Sequence, residues 1–95
     1  MNVEKTITAE NVFSDKIICA VIPETNMLNS SVSGTFSATV TLQRSFDNGS
    51  NWVDVKTFTA PEEGNVLDSE SSVVYRIGVK TGEFTSGSIS VRLSN

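Results

Sequence analysis

Apolar and polar residues alternate along much of the chain with a period of two, the period of a half-buried strand. From Thr35 to Phe46 the alternation is strict: Phe36, Ala38, Val40 and Leu42 share one face, and Ser37, Thr39, Thr41 and Gln43 the other. The turn Asp47-Asn48-Gly49-Ser50 follows, and Trp52 to Thr59 reads as the return strand of a hairpin. On that strand Val53, Val55 and Thr57 fall on one face, and Trp52, Asp54, Lys56 and Phe58 on the other. Further on, Val73, Tyr75, Ile77 and Val79 alternate with Val74, Arg76, Gly78 and Lys80. After a turn from Thr81 to Gly87, Ser88 to Ser94 returns with Ile89, Val91 and Leu93 inward, which predicts a second hairpin.

The first third is less sharply patterned. Val3 to Thr8 predicts a short strand with Val3, Lys5 and Ile7 on one side. Asp15 to Ile22 reads as a continuous apolar strand closed by Pro23, and Met27 to Ser33 as a third strand ending at Gly34. Pro61 to Ser72 reads as a loop, with Val66-Leu67 pinning its centre to the core or adding a short strand. That loop holds Glu62, Glu63, Asp68 and Glu70 with no basic residue, so it is expected to face solvent. No segment keeps helical spacing over eleven residues.

About seven short strands separated by turns predict an all-β fold: one antiparallel β-sandwich spanning residues 1–95, immunoglobulin-like or jelly-roll, without a helix. The expected core is Ile7, Ile18, Ala20, Phe36, Val40, Leu42, Trp52 or Val55, Tyr75, Ile77, Val91 and Leu93. Composition agrees. Twelve Val, six Ile and ten Thr suit a pleated surface, whereas four Leu and four Ala leave little to fill helices.

Charge and chemistry narrow the function. Seven basic against eleven acidic residues give a net charge of −4, which argues against binding nucleic acid. Histidine is absent and cysteine occurs once, which removes His-dependent catalytic triads and His/Cys zinc sites. Adjacent Glu62 and Glu63 are unsuited to flank a glycosidic bond, so no catalytic residue is assigned. No metal or cofactor is expected either. Cys19, inside the apolar run from Ile17 to Ile22, reads as a small buried hydrophobe. That run is too short to span a bilayer, and MNVEKTITAE lacks the apolar stretch of a secretory signal; the expectation is cytoplasmic synthesis without a membrane partner.

One local motif stands out. Ser45-Phe46-Asp47-Asn48-Gly49-Ser50-Asn51-Trp52 resembles the Asp-box pattern S-x-D-x-G-x-T/N-W of sialidases and other β proteins. Its reading is a structural hairpin clasp made by Ser45, Asp47, Gly49 and Trp52. The carboxylate accepts turn amides, the glycine takes positive φ, and the indole packs over the hairpin. A sugar contact through Trp52 is the functional alternative, and calcium is disfavoured because the ligand spacing is wrong.

The stretch from Gly34 to Asn95 is similar to small β-sandwich proteins from the structural-gene regions of tailed bacteriophages and prophages. The likeness lies in Thr39-Val40-Thr41-Leu42-Gln43-Arg44-Ser45-Phe46-Asp47, in Trp52-Val53-Asp54-Val55, and in Val74-Tyr75-Arg76-Ile77-Gly78-Val79-Lys80-Thr81-Gly82. It implies a non-enzymatic virion component that decorates the capsid or sits in the neck or tail. Its partners would then be the major capsid protein or neck and tail proteins, and copies of itself, with a trimer favoured by particle symmetry. Carbohydrate or cell-surface binding is the alternative. Within this reading Val3, Lys5 and Ile7 form an N-terminal arm, residues 1–10, that adds to a neighbour's sheet. Phe84, in a Gly/Ser/Thr turn, inserts into the domain's own edge or into a partner.

Overall fold

The computed structural model describes residues 2–18, 27–67 and 73–94, which are all-β, without a helix. Its strands are β1 (Asn2–Ile7), β2 (Val12–Phe13), β3 (Ile17–Ile18), β4 (Met27–Ala38), β5 (Val40–Ser45), β6 (Val53–Phe58), β7 (Glu62–Leu67), β8 (Val74–Val79) and β9 (Phe84–Ser94). They form two antiparallel sheets. The first, sheet A, has the order β1-β9-β4-β7; the second, sheet B, has β2-β8-β5-β6, with β3 also on β8.

The pairing is nested about the Asp47 turn. β5 pairs with β6, β4 with β7, β2 and β3 with β8, and β1 with β9, each strand before the turn meeting its counterpart after it. The chain is thus one long hairpin, rolled up so that β9 also pairs with β4 and β8 with β5. This connectivity is the jelly roll, one of the two sandwich topologies the pattern allowed.

Between the sheets lie Ile7, Ile17, Leu28, Val32, Val40, Leu42, Phe58, Val73, Tyr75, Ile77, Val79, Ile89, Val91 and Leu93, all almost inaccessible to solvent. Burying one such side chain is worth roughly 1.5–3 kcal/mol. The strict alternation from Phe36 to Leu42 has a specific cause. The chain leaves sheet A after Ala38 and enters sheet B at Val40, yet both inner faces look onto the same core, so the period survives the crossing.

Several expectations are corrected. β8 and β9 are not a hairpin, because the turn after Val79 carries the chain from sheet B to sheet A. Residues 62–67 of the expected loop form β7, the outer strand of sheet A beside β4, so the short strand allowed there is present and longer than expected. Gly34 does not end a strand; it sits inside β4 with φ of 111°, opposite Ile89. Of the expected strand 15–22, residues 15 and 16 are not in a strand and Ile17–Ile18 form β3, while residues 19–22 lie outside the described residues; Ser14 separates β3 from β2 on the edge. Its N–H donates to the Ile77 carbonyl at 2.8 Å, and its hydroxyl accepts the Ile77 N–H at 3.2 Å.

The core list shifts accordingly. Ile17 is buried and Ile18 is 47% exposed, the reverse of the expectation. Val55 is exposed and Phe58 buried because a β-bulge opposite Leu42 and Gln43 makes Val55 an extra residue. That residue flips the phase of β6, bringing Phe58 onto the core row beside Val40. Trp52 is half-buried outside the core. Cys19 and Ala20 lie outside the described residues, as do Asp68 and Glu70.

Candidate functional site

The hairpin tip at the centre of the roll is cross-braced by side chains. The Ser45 hydroxyl donates to Asp47 Oδ1 at 2.6 Å and accepts the N–H of Gly49 at 2.8 Å. Asn51 donates its backbone N–H to Asp47 Oδ1 at 2.8 Å and its side-chain amide to Oδ2 at 2.7 Å. Bonds from Ser45 and Asn51 pull the Asp47 carboxyl from an ordinary 3.8 down to about 2. Gly49 has φ of 102°, so the turn needs glycine for its conformation; a Cβ there would be in ordinary contact with Trp52 Cζ2 at 3.4 Å. Lys16 ties the edge to the turn, donating from Nζ to the Asn48 carbonyl at 2.9 Å. The structure therefore brings Ser45, Asp47, Gly49 and Trp52 together at one place. Both Asp47 oxygens are occupied by donors, which suits a clasp and not a cation site.

Trp52 leads from the clasp onto the outer face of sheet B. Tyr75 and Ile77 face the core, so alternation turns Arg76 outward. The Arg76 guanidinium lies with Cζ 3.9 Å from the Phe13 ring centroid and 4.4 Å from that of Trp52, a cation between two aromatic faces. Its Nε–H donates to Gln43 Oε1 at 2.9 Å, across the β8–β5 pair in which Arg76 and Gln43 are opposite. Gln43 Nε2 in turn donates to Asp54 Oδ1 at 2.9 Å, and Lys80 Nζ donates to Asp54 Oδ2 at 2.7 Å. The result is a ladder, Phe13–Arg76–Gln43–Asp54–Lys80 with Trp52 alongside, spanning all the strands of sheet B except β3.

Electrostatics follow the geometry. The Lys80 and Gln43 donors hold the Asp54 carboxyl below the usual range, and Asp54 raises the Lys80 ammonium. Burial pushes the Arg76 guanidinium down, though an arginine stays charged throughout the working range. Gly78, next to Arg76 on the outer row, leaves room for the edge strand. A Cβ there would meet the Val12 carbonyl oxygen and lie 2.5 Å from Phe13 Cα.

The outer face of sheet A differs in kind. Cross-strand rows Ser33–Ser90, Thr35–Ser88 and Ser37–Ser86 cover it with hydroxyls. An open groove of about 450 Å³ crosses it, lined by Asn29, Ser31, Glu63, Asn65, Arg92 and Ser94 among others. Arg92 there sits beside Glu4, with 3.9 Å between Nε and Oε1.

The residues expected to bind a partner are placed differently. β1 is not a free arm: it pairs with β9 over its whole length, from Asn2 opposite Ser94 to Ile7 opposite Ile89. Ile7 is completely buried and Val3 packs against the core, because the strand supplies the apolar row that β9 needs beside it. Lys5 alone of the three is exposed. Phe84 takes the first of its two expected roles: it begins β9 and packs half-buried on the core, closing the domain's own end. Sequence reasoning missed Phe13, Gln43, Arg76 and Lys80. Alternation put the last three on polar faces, but only the register between distant strands makes them one ladder.

Comparison with protein-family models, curated proteins and solved structures gives no match to this chain.

Proposed function

We propose that this protein is a non-enzymatic structural component of a bacteriophage particle, decorating the capsid or sitting at the neck or tail, and that it works by docking. The observation that carries the reading is the ladder on sheet B. It is a surface held rigid by cross-strand bonds, with two aromatic rings and a cation fixed in place, which is how a pre-organised protein-docking face is built. Arginine and tryptophan are the residues most often found to dominate such faces. The likeness of residues 34–95 to phage structural proteins supplies the particle. Sugar binding through Trp52 is less favoured by the geometry, since one face of the indole is taken by Arg76.

Docking through this face replaces the arm as the proposed mode of attachment, and a trimer remains the oligomer that particle symmetry favours. The test is quantitative mass spectrometry of particles purified from lysates of cells that encode the chain. A fixed copy number relative to the major capsid protein is expected. Absence of the chain from such particles overturns the proposal.

A further inference from the structure

We infer that Arg76 anchors this docking face by taking a carboxylate from an acidic segment of the partner. The guanidinium is already immobilised: it lies against the Phe13 and Trp52 rings, and Gln43 takes its Nε–H. Among the described residues it has no ion-pair partner, and Asp54 in the same ladder is occupied by Gln43 and Lys80. Its two terminal nitrogens hydrogen-bond to none of the described residues, and they are absent from the buried unsatisfied groups, so they reach the surface. A fixed planar fork of N–H donors matches the two oxygens of a carboxylate. Partial desolvation by the two rings strengthens such a pair over one formed in open water.

The local charge favours an acidic protein segment as the source. Lys16 stands at the same end of the face, beside Gly49 and Trp52, and among the described residues its Nζ binds only Asn48 oxygens. Two cations without a carboxylate among the described residues thus flank Trp52 on a chain whose net charge is −4. A carboxylated sugar would also seek an open aromatic face to stack on, whereas an acidic side chain needs only the fork.

The identity of the partner rests on the particle reading; the carboxylate chemistry does not. The experiment is an NMR titration of the ¹⁵N-labelled full chain, following the Arg76 Nε–H and Trp52 indole N–H signals. The probes are sodium acetate, a capped peptide of consecutive glutamates and sodium glucuronate, each against sodium chloride at matched ionic strength. Saturable shifts with acetate and tighter ones with the peptide are expected, weakened at least about tenfold in Arg76→Gln and not restored by Arg76→Lys. An acetate response no larger than chloride overturns the inference, and glucuronate saturating well below the peptide overturns the protein source. The unaltered chain alone decides this, should Arg76→Gln not fold. A silent titration with the chain still present in particles defeats the anchor alone; a saturable one with the chain absent from particles defeats the particle reading alone.

Discussion

Ser45 and Asp47 are locked together at the one point about which the whole chain folds back: Ser45 Oγ lies 2.6 Å from Asp47 Oδ1. Every nested pair, from β5–β6 out to β1–β9, joins a strand before this tip to one after it. A local turn that forms early and fixes later pairings lowers the entropy cost of the distant ones.

The clasp makes stability depend on pH in a definite direction. Asp47 titrates at about 2 in the folded protein against an ordinary 3.8, so its contribution is fully present above the ordinary value and is lost as pH falls towards 2. The melting temperature should therefore drop between about pH 4 and pH 2. Asp47→Asn should lower it at neutral pH and flatten this part of the profile. Thermal unfolding across that range reads the outcome, and an unchanged profile in the variant would remove Asp47 from the account.

β1 belongs to the domain, and its removal should be costly. Ile7 is fully buried opposite Ile89, itself fully buried. Ile7→Ala should destabilise by about 2–5 kcal/mol, as measured by denaturant unfolding. A loss below about 0.5 kcal/mol, the range of surface substitutions, would return β1 to the status of a detachable arm.

Thr41 offers the opposite sign. It is completely buried, and its hydroxyl has no hydrogen-bond partner among the described residues. Thr41→Val replaces that hydroxyl with a methyl of similar shape and should stabilise by about 1 kcal/mol. A destabilised variant would mean that the hydroxyl has a partner, such as an ordered water.

How far the sequence carried the argument depended on whether the deciding contacts were local. The Asp47 turn was legible because Ser45, Asp47, Gly49 and Trp52 are neighbours in the chain and the chemistry is confined to one loop. The apolar face of β8 was legible because alternation alone assigns it. Phe58 was misplaced because one bulged residue, Val55, reverses the phase of everything beyond it. The Arg76 ladder was out of reach, since Phe13, Arg76, Gln43 and, through Asp54, Lys80 meet only after four strands have found their register.

Lysines protect the open edges of this sandwich, and that gives the last prediction. β1 is an outer strand of sheet A, and Lys5 lies opposite buried Val91, in the inward row between Val3 and Ile7. On the opposite side Lys56 lies opposite buried Leu42 and pairs at 2.5 Å with Glu62, which joins the outer strands β6 and β7. A charge placed in the inward row of an outer strand is a known guard, because a second strand adding there would bury it. Two β1 strands pairing about Lys5 would also set like charges side by side. Lys5→Val removes the guard and leaves an unbroken apolar row from Val3 to Ile7 beside an open edge. The folded variant should associate, seen as a concentration-dependent rise in mass by light scattering, while its circular dichroism stays that of the parent. Association should fall again in Lys5→Arg, which keeps the charge. If Lys5→Val scatters like the unaltered chain at every concentration, Lys5 is an ordinary surface lysine and the edge is protected by other means.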